Sequence, residues 1–205
     1  MTLAVAKTLL KFDAVTDIKE FKKELVAVMH EVGIKYPNCG YGGHFGVWIR
    51  ENYTEPYNSY GNGSAMRVSP VAWYANSLDE CEALAATTAE VTHSHPEGIK
   101  GAVAVAVAGA IYLARTRHSM AEIQDYINSF YKIDFTLDEI RDTYGFYETC
   151  QESVPQALEA FFESVSFEDA IRNAISIGGD SDTIAAITGS IAEAYYGIEL
   201  SLIHI

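Results

Sequence analysis

Basic residues are scarce in this chain: 14 lysines and arginines stand against 28 aspartates and glutamates, leaving a formal net charge of −14. Phosphate backbones and anionic lipid surfaces are bound through Lys and Arg, so nucleic acid and membrane surfaces are excluded as partners. A small anionic ligand stays possible where a metal ion neutralises the site. Cysteine is scarce too. Cys39, Cys81 and Cys150 are odd in number and show no CxxC spacing. That argues against a disulfide framework or a thiolate zinc site and suits a reducing cytoplasm. Long hydrophobic runs are missing: the longest, residues 101–114, is rich in alanine and too short to span a bilayer. No signal-peptide pattern opens the chain, because Lys7 interrupts its first apolar segment. Alternating β-branched runs long enough for a central strand are also lacking.

What the chain does have is helical periodicity. Apolar residues recur at spacings of three and four over Leu3 to Leu10, Ile18 to Val32, Leu78 to Thr92, Gly98 to Arg115, Met120 to Phe130, Leu137 to Tyr144, Pro155 to Ser164, Phe167 to Ile177 and Asp182 to Tyr196. Ser119 with Glu122 reads as a capping box, Ser166 as an N-cap, and Pro155 as a first-turn proline after Ser153. The Val/Ala alternation inside Gly98 to Arg115 allows a strand, but its length and alanines favour a helix buried all round. At 49% hydrophobic residues and this length, one domain over residues 1–205 with a sizeable core is expected. The fold class is all-α.

Tyr36 to Asn62 breaks the helical pattern and reads as a long connection. It interleaves aromatic residues (Tyr41, His44, Phe45, Trp48, Tyr53, Tyr57, Tyr60) with Gly40, Gly42, Gly43 and Gly46. Rings stack on flat ligands and glycines let backbone amides reach phosphate, so a nucleotide-like ligand is one reading; rings plugging a loop onto the core is the other. After it, Ser59 to Arg67 forms a turn around Gly61, Asn62 and Gly63, with Ala65 and Met66 opening a packed helix. Arg67 is either a phosphate contact or a structural ion pair. In THSHP (92–96), His93 and His95 suit substrate contact or structure better than metal, since neither Cys nor Glu lies nearby in zinc spacing.

The densest chemistry is Gly178 to Thr183, GGDSDT. Two carboxylates one residue apart, with a hydroxyl beside the second, are hard oxygen donors for Mg²⁺, Mn²⁺ or Ca²⁺. They sit at the start of a helix whose stripe is Ile184, Ile187, Ile191 and Tyr195 and whose stop is Gly197. The competing reading makes Asp180 an ordinary N-cap and Asp182 a first-turn acid.

Taken in order, YGGHFGVWI (41–49), SYGNGSAMRVSP (59–70), THSHPEGIKGA (92–102), CQESVPQAL (150–158) and AISIGGDSDTIAAITGSIAEAYYG (174–197) resemble the ADP-ribosylglycohydrolase family, which includes the dinitrogenase-reductase-activating glycohydrolases. The resemblance implies a compact orthogonal multi-helix globule that hydrolyses the bond between ADP-ribose and a protein side chain, or a related ADP-ribose conjugate, with two Mg²⁺ or Mn²⁺ ions. Under it, Asp180, Asp182 and Thr183 match metal ligands, with Asp180 and Asp182 carrying the catalysis. Ser59, Tyr60, Gly61 and Asn62 match the loop that cradles diphosphate and distal ribose, and His93 matches a ligand-contacting histidine. His95 fits the motif without a defined role. The family also carries a Gly-Asp helix with a Glu and then a Thr-Asp-Asp-Thr stretch, ahead of a helix like Leu3 to Leu10. No acidic pair precedes that helix here, and Asp13 and Asp17 fall after it. The last six residues, LSLIHI, look like read-through of adapter sequence. The expectation is a fragment of a longer product carrying half of the metal site. An ADP-ribose-binding module of impaired catalysis is the alternative, and a purely structural helical protein is a third reading.

Overall fold

A computed structural model describes residues 1–95 and 102–198. Eleven α-helices appear among the described residues, and the only β pairing among them is an isolated antiparallel bridge between Gly61 and Thr149. The helices are α1 (Thr2–Leu9), α2 (Ile18–Lys35), α3 (Gly43–Arg50), α4 (Ser69–Tyr74), α5 (Leu78–Glu90), α6 (Ala102–Arg115), α7 (Met120–Asn128), α8 (Leu137–Ile140), α9 (Cys150–Phe162), α10 (Phe167–Ser176) and α11 (Ser181–Tyr196). None of the described helices is long and apolar enough to cross a membrane.

The centre of the molecule is α6 against α11. Around this pair, α5, α4 and α7 pack on α6, and α9 and α10 pack on α11, while α1 joins α2 to α4. Small side chains explain the closeness of α6: Ala106, Ala108 and Ala110 are fully buried, and Gly109 lies so near the Tyr126 hydroxyl that a Cβ there would be 2.0 Å away. On α11 the predicted stripe is buried at Ile184, Ile187 and Ile191, each contributing on the order of 1.5–3 kcal/mol. Gly197 ends it at φ 78°, a left-handed stop. The Ser119 capping box and the Ser166 cap form as expected, and Thr136 with Glu139 makes a second box.

Four readings from sequence need correction. Residues 36–62 are not all irregular, because Gly43–Arg50 is a helix; Trp48 is sandwiched there by His30 at 4.3 Å and Phe45 at 5.6 Å, packing that offsets the poor propensity of a glycine-rich stretch. The chain after Ser59 does not enter a helix at Ala65. Asn62–Ser64 form a 3₁₀ turn and the helix starts at Ser69, with Pro70 in its first turn. Pro155 is not a first-turn proline, because α9 already begins at Cys150, so this buried ring sits in the helix interior and gives up one intrahelical bond. Among the described residues Arg67 has no ion-pair partner and it is not exposed to phosphate: it is 3% exposed and donates to neutral oxygens, at 3.1 Å to Thr88 O and 2.8 Å to Thr92 Oγ1. The segment Gly98 to Gly101 and the tail Glu199 to Ile205 lie outside the described residues.

One pair on α9 gives a pH-dependent prediction. Glu159 and Glu163 are one turn apart, and Glu163 Oε1 accepts the Leu137 N–H at 2.8 Å, tying α9 to the start of α8. Burial first, and then the Glu163 charge, push the Glu159 carboxyl up to about 7. A raised carboxyl is a stabilising feature only while protonated, so stability is highest below the ordinary carboxylate range and is lost as pH rises towards 7. Glu159→Gln is expected to raise Tm at pH 8 by roughly 2–4 °C, for about 1 kcal/mol after solvent screening. The gain should shrink as the pH is taken towards 5. Paired melting curves at the two pH values check it.

Candidate functional site

Three connections meet at the N-terminal end of α11. The first is the turn from α10, where Gly178 (φ 72°) and Gly179 (φ 66°) are both left-handed. At Gly179 nothing larger fits, because an added Cβ would lie 2.5 Å from Tyr144 Cε1 and 2.6 Å from Gly145 O. The turn delivers Asp180 to the N-cap position, and its backbone carbonyl accepts the Ile184 N–H at 3.0 Å. Its carboxylate, however, makes no capping bond. Oδ2 instead accepts from Asn62 Nδ2 at 2.7 Å, across 118 residues of chain. The capping reading therefore fails for the side chain even though it holds for the backbone.

Asp182 is exposed, its Oδ1 accepting the Thr183 N–H at 2.9 Å, and Thr183 is buried with its hydroxyl 3.7 Å from Met66 Sδ. The Asp180 carboxyl is held above the ordinary range by burial; the Asn62 hydrogen bond opposes this and the adjacent Asp182 carboxyl reinforces it. Two acids crowded at a helix N-terminus form a site whose repulsion a cation relieves. The start of α1 lies at the same place, since Thr2 Oγ1 donates to Met66 O at 3.3 Å.

The second connection is Ser59 to Ser64. It is fastened to the start of α9 by the Gly61–Thr149 bridge, with Asn62 N donating to Glu148 O at 2.9 Å and Cys150 N donating to Tyr60 O at 3.2 Å. Ser59 Oγ accepts the Gly61 N–H at 3.2 Å and so closes the loop on itself. Asn62, 7% exposed, divides its amide between Asp180 and Ser153 Oγ (3.1 Å). Tyr60 stays half exposed, its ring 5.3 Å from that of His95.

The third connection follows α5. Thr92 O accepts the backbone N–H groups of Tyr57 (3.3 Å) and Ser59 (3.4 Å), and His93 sits beneath the loop at 1% exposure with Nε2 2.9 Å from Gly61 O. The structure thus gathers Ser59, Tyr60, Gly61, Asn62, Asp180, Asp182 and Thr183 around one place, and puts His93 behind it, facing protein.

Sequence reasoning missed Ser153, which shares the Asn62 amide, and Tyr144. The Tyr144 ring walls Gly179, its hydroxyl donates to Glu152 O at 2.6 Å, and burial and the Asp180 charge push it up to about 12. Ser153 lay in a quoted motif but read only as a residue ahead of a helix. The aromatic connection builds shallow clefts of about 380 and 180 Å³ around Trp48, Tyr53 and Tyr57, and none of the Asp180 group lines either.

As a metal site the donor set is two carboxylates and a hydroxyl. It fits one hard divalent ion that keeps waters and takes ligand oxygens, the usual habit of Mg²⁺. Among the described residues there is no group of three or more His, Cys, Asp or Glu side chains that could hold a metal.

The ADP-ribosylglycohydrolase family model matches residues 1–200, and the chain belongs to that family. It is 29% identical over 188 residues to ADP-ribosylhydrolase ARH3 of Homo sapiens, covering 69% of this chain and 51% of that protein. It is 30% identical over 167 residues to ADP-ribosylarginine hydrolase Tri1 of Pseudomonas putida (strain GB-1), covering 74% of this chain and 43% of that one. A solved chain from an ADP-ribosylglycohydrolase-related protein complex shares the fold, with a TM-score of 0.65 at 22% identity over 96% of this chain and 69% of that chain. The all-helical expectation is met. The chain spans about half the length of the curated relatives it matches.

Proposed function

We propose that this chain carries the ligand loop and one metal-binding half of a hydrolase that cleaves the glycosidic bond between ADP-ribose and a protein side chain, or a related ADP-ribose conjugate, in the cytoplasm. The observation that carries the reading is the Asp180 carboxylate, spared from capping its own helix and held by Asn62 beside Asp182. Asp180, Asp182 and Thr183 would hold one Mg²⁺ or Mn²⁺ of a two-ion centre. When bound, such an ion orients ribose hydroxyls and lowers the pKa of water at neutral pH. Asp180 and Asp182 would also supply negative charge to offset the positive charge that grows on the sugar as the bond breaks, the oxocarbenium character common to glycoside cleavage. Ser59, Tyr60, Gly61 and Asn62 would form the loop that receives diphosphate and ribose; the Gly61 N–H and the Asn62 amide are held within the protein and fix its shape, and Tyr60 stands half exposed beside them. The ring nitrogens of His93 are engaged by protein, so it supports this loop from below.

A second reading, an ADP-ribose-binding module without turnover, is favoured by one fact: among the described residues no three His, Cys, Asp or Glu side chains gather into a group that could hold a metal. Calorimetric titration with Mn²⁺ and then ADP-ribose, alongside release of ADP-ribose from ADP-ribosyl-arginine and ADP-ribosyl-serine peptides, separates the two. The expected result is one ion per chain, metal-dependent ADP-ribose binding and little turnover. Full turnover by the 205-residue chain would overturn the half-site reading; metal-independent binding without turnover would favour the module.

A further inference from the structure

Behind the ligand loop runs a buried hydrogen-bonded line that the reaction chemistry does not itself require. Arg67 Nη2 donates to Thr92 Oγ1 at 2.8 Å, and Thr92 Oγ1 lies 2.7 Å from His93 Nδ1. His93 Nε2 lies 2.9 Å from Gly61 O, and Cys150 Sγ donates to the same carbonyl at 3.0 Å. All four side chains are at most 3% exposed.

The directions of these bonds follow from the partners. A carbonyl only accepts, so His93 carries its proton on Nε2 and Nδ1 accepts from the Thr92 hydroxyl. A second ring proton is opposed by burial and by the Arg67 charge, which bring His93 down to about 3, while burial pushes the Cys150 thiol up to about 12 and keeps its proton on sulfur. Gly61 O is thereby fixed between two donors, and the next residue, Asn62, delivers its amide to Asp180. Arg67 is the costly member: a buried guanidinium with Nε unpartnered and only neutral oxygens as acceptors among the described residues. Such burial of a charge is unfavourable, and its geometric effect is to orient Thr92.

We infer that Arg67, Thr92 and Cys150 are positioning residues: through His93 and the Gly61 carbonyl they set the Asn62 amide against Asp180 and so tune the metal half-site. The inference rests on the metal-site reading above for its functional consequence, but not for its geometry. Asn62 is the outer-shell partner of Asp180; removal of such a partner typically changes metal affinity about 10–100-fold, and residues acting through it change it by less.

Thr92→Val keeps the volume and removes the link. In the full chain, ¹⁵N NMR of the histidine rings is expected to show His93 as a single Nε2–H tautomer in the wild type and a mixed or exchanging ring in Thr92→Val, with the Asn62 side-chain amide resonance displaced. Mn²⁺ affinity is expected to fall at least about threefold, less than the 10–100-fold of a direct outer-shell partner. Cys150→Ala should keep the tautomer and still displace the Asn62 resonance. Thr8→Val removes an equally buried hydroxyl, bonded within α1 to Ala4 O, and should move neither signal. An unchanged His93 tautomer and Asn62 resonance in Thr92→Val would overturn the proposal. So would Mn²⁺ affinity within twofold of a wild type that binds the ion. If the wild type binds no Mn²⁺, the metal reading is the one that fails, and the two NMR signals alone decide whether the relay exists.

Discussion

Asp180→Asn is expected to abolish specific Mn²⁺ binding while leaving the fold intact or slightly more stable. The replacement is nearly isosteric, and its amide oxygen still accepts from Asn62 Nδ2, so the 2.7 Å contact across the two halves of the chain survives. What changes is charge. The metal loses one of two carboxylate donors, an effect on the order of 100-fold in affinity, or about 2.7 kcal/mol. The apoprotein, by contrast, loses the repulsion between neighbouring acids, so any change in its melting temperature should be upward. A stabilising change that removes function is a common mark of a site built for a ligand rather than for the fold. A plain N-cap predicts otherwise: Asn and Asp cap almost equally well, so metal binding would be unaffected. Differential melting with and without excess Mn²⁺ reads both consequences at once. Ligand at about 100 times Kd adds about 2.7 kcal/mol to the wild type. That increment should vanish in Asp180→Asn; its persistence would return Asp180 to the status of a helix cap.

The two halves of this site differ in how far sequence discloses them. Gly178 to Thr183 is legible because every determinant is local: two left-handed residues that need glycine, two acids, and an apolar stripe at helical spacing. Its true partner is not legible, since Asn62 and Asp180 are 118 residues apart and it takes the packing of α6 and α9 on α11 to bring them together. Arg67 was misread for a related reason. From sequence, an arginine beside a turn suggests phosphate or a carboxylate, whereas Thr88 and Thr92 cover it on α5 and the turn that follows. The same holds for α3, which tertiary stacking of Trp48 stabilises against the local preference of its glycines. His93 carries the lesson into function: its motif matched a ligand contact, and the structure places it a layer deeper, where it holds the loop.

Gly179→Ala is the substitution expected to cost most stability of any single methyl group near the site. Two penalties act together. At φ 66° an alanine occupies the left-handed region, costing about 1–2 kcal/mol. Its Cβ would also stand 2.6 Å from Gly145 O, a backbone atom that cannot rotate away, and 2.5 Å from the Tyr144 ring. Relief requires moving the 144–145 turn, and Tyr144 is anchored through its hydroxyl to Glu152 O at 2.6 Å, so the displacement is passed to the start of α9. A total near 3 kcal/mol is expected, the sum of backbone strain and overpacking. Gly178→Ala provides the internal comparison: φ there is 72°, but nothing lies within 4 Å of the added carbon, so only the backbone cost applies. Chemical denaturation of the two variants should therefore differ by about 1–2 kcal/mol, with Gly179→Ala the weaker. Because Ser153 and Asn62 meet at the same end of α9, Gly179→Ala should weaken Mn²⁺ binding as well, and Gly178→Ala much less. Equal losses of stability would mean that Tyr144 yields freely and does not brace the turn.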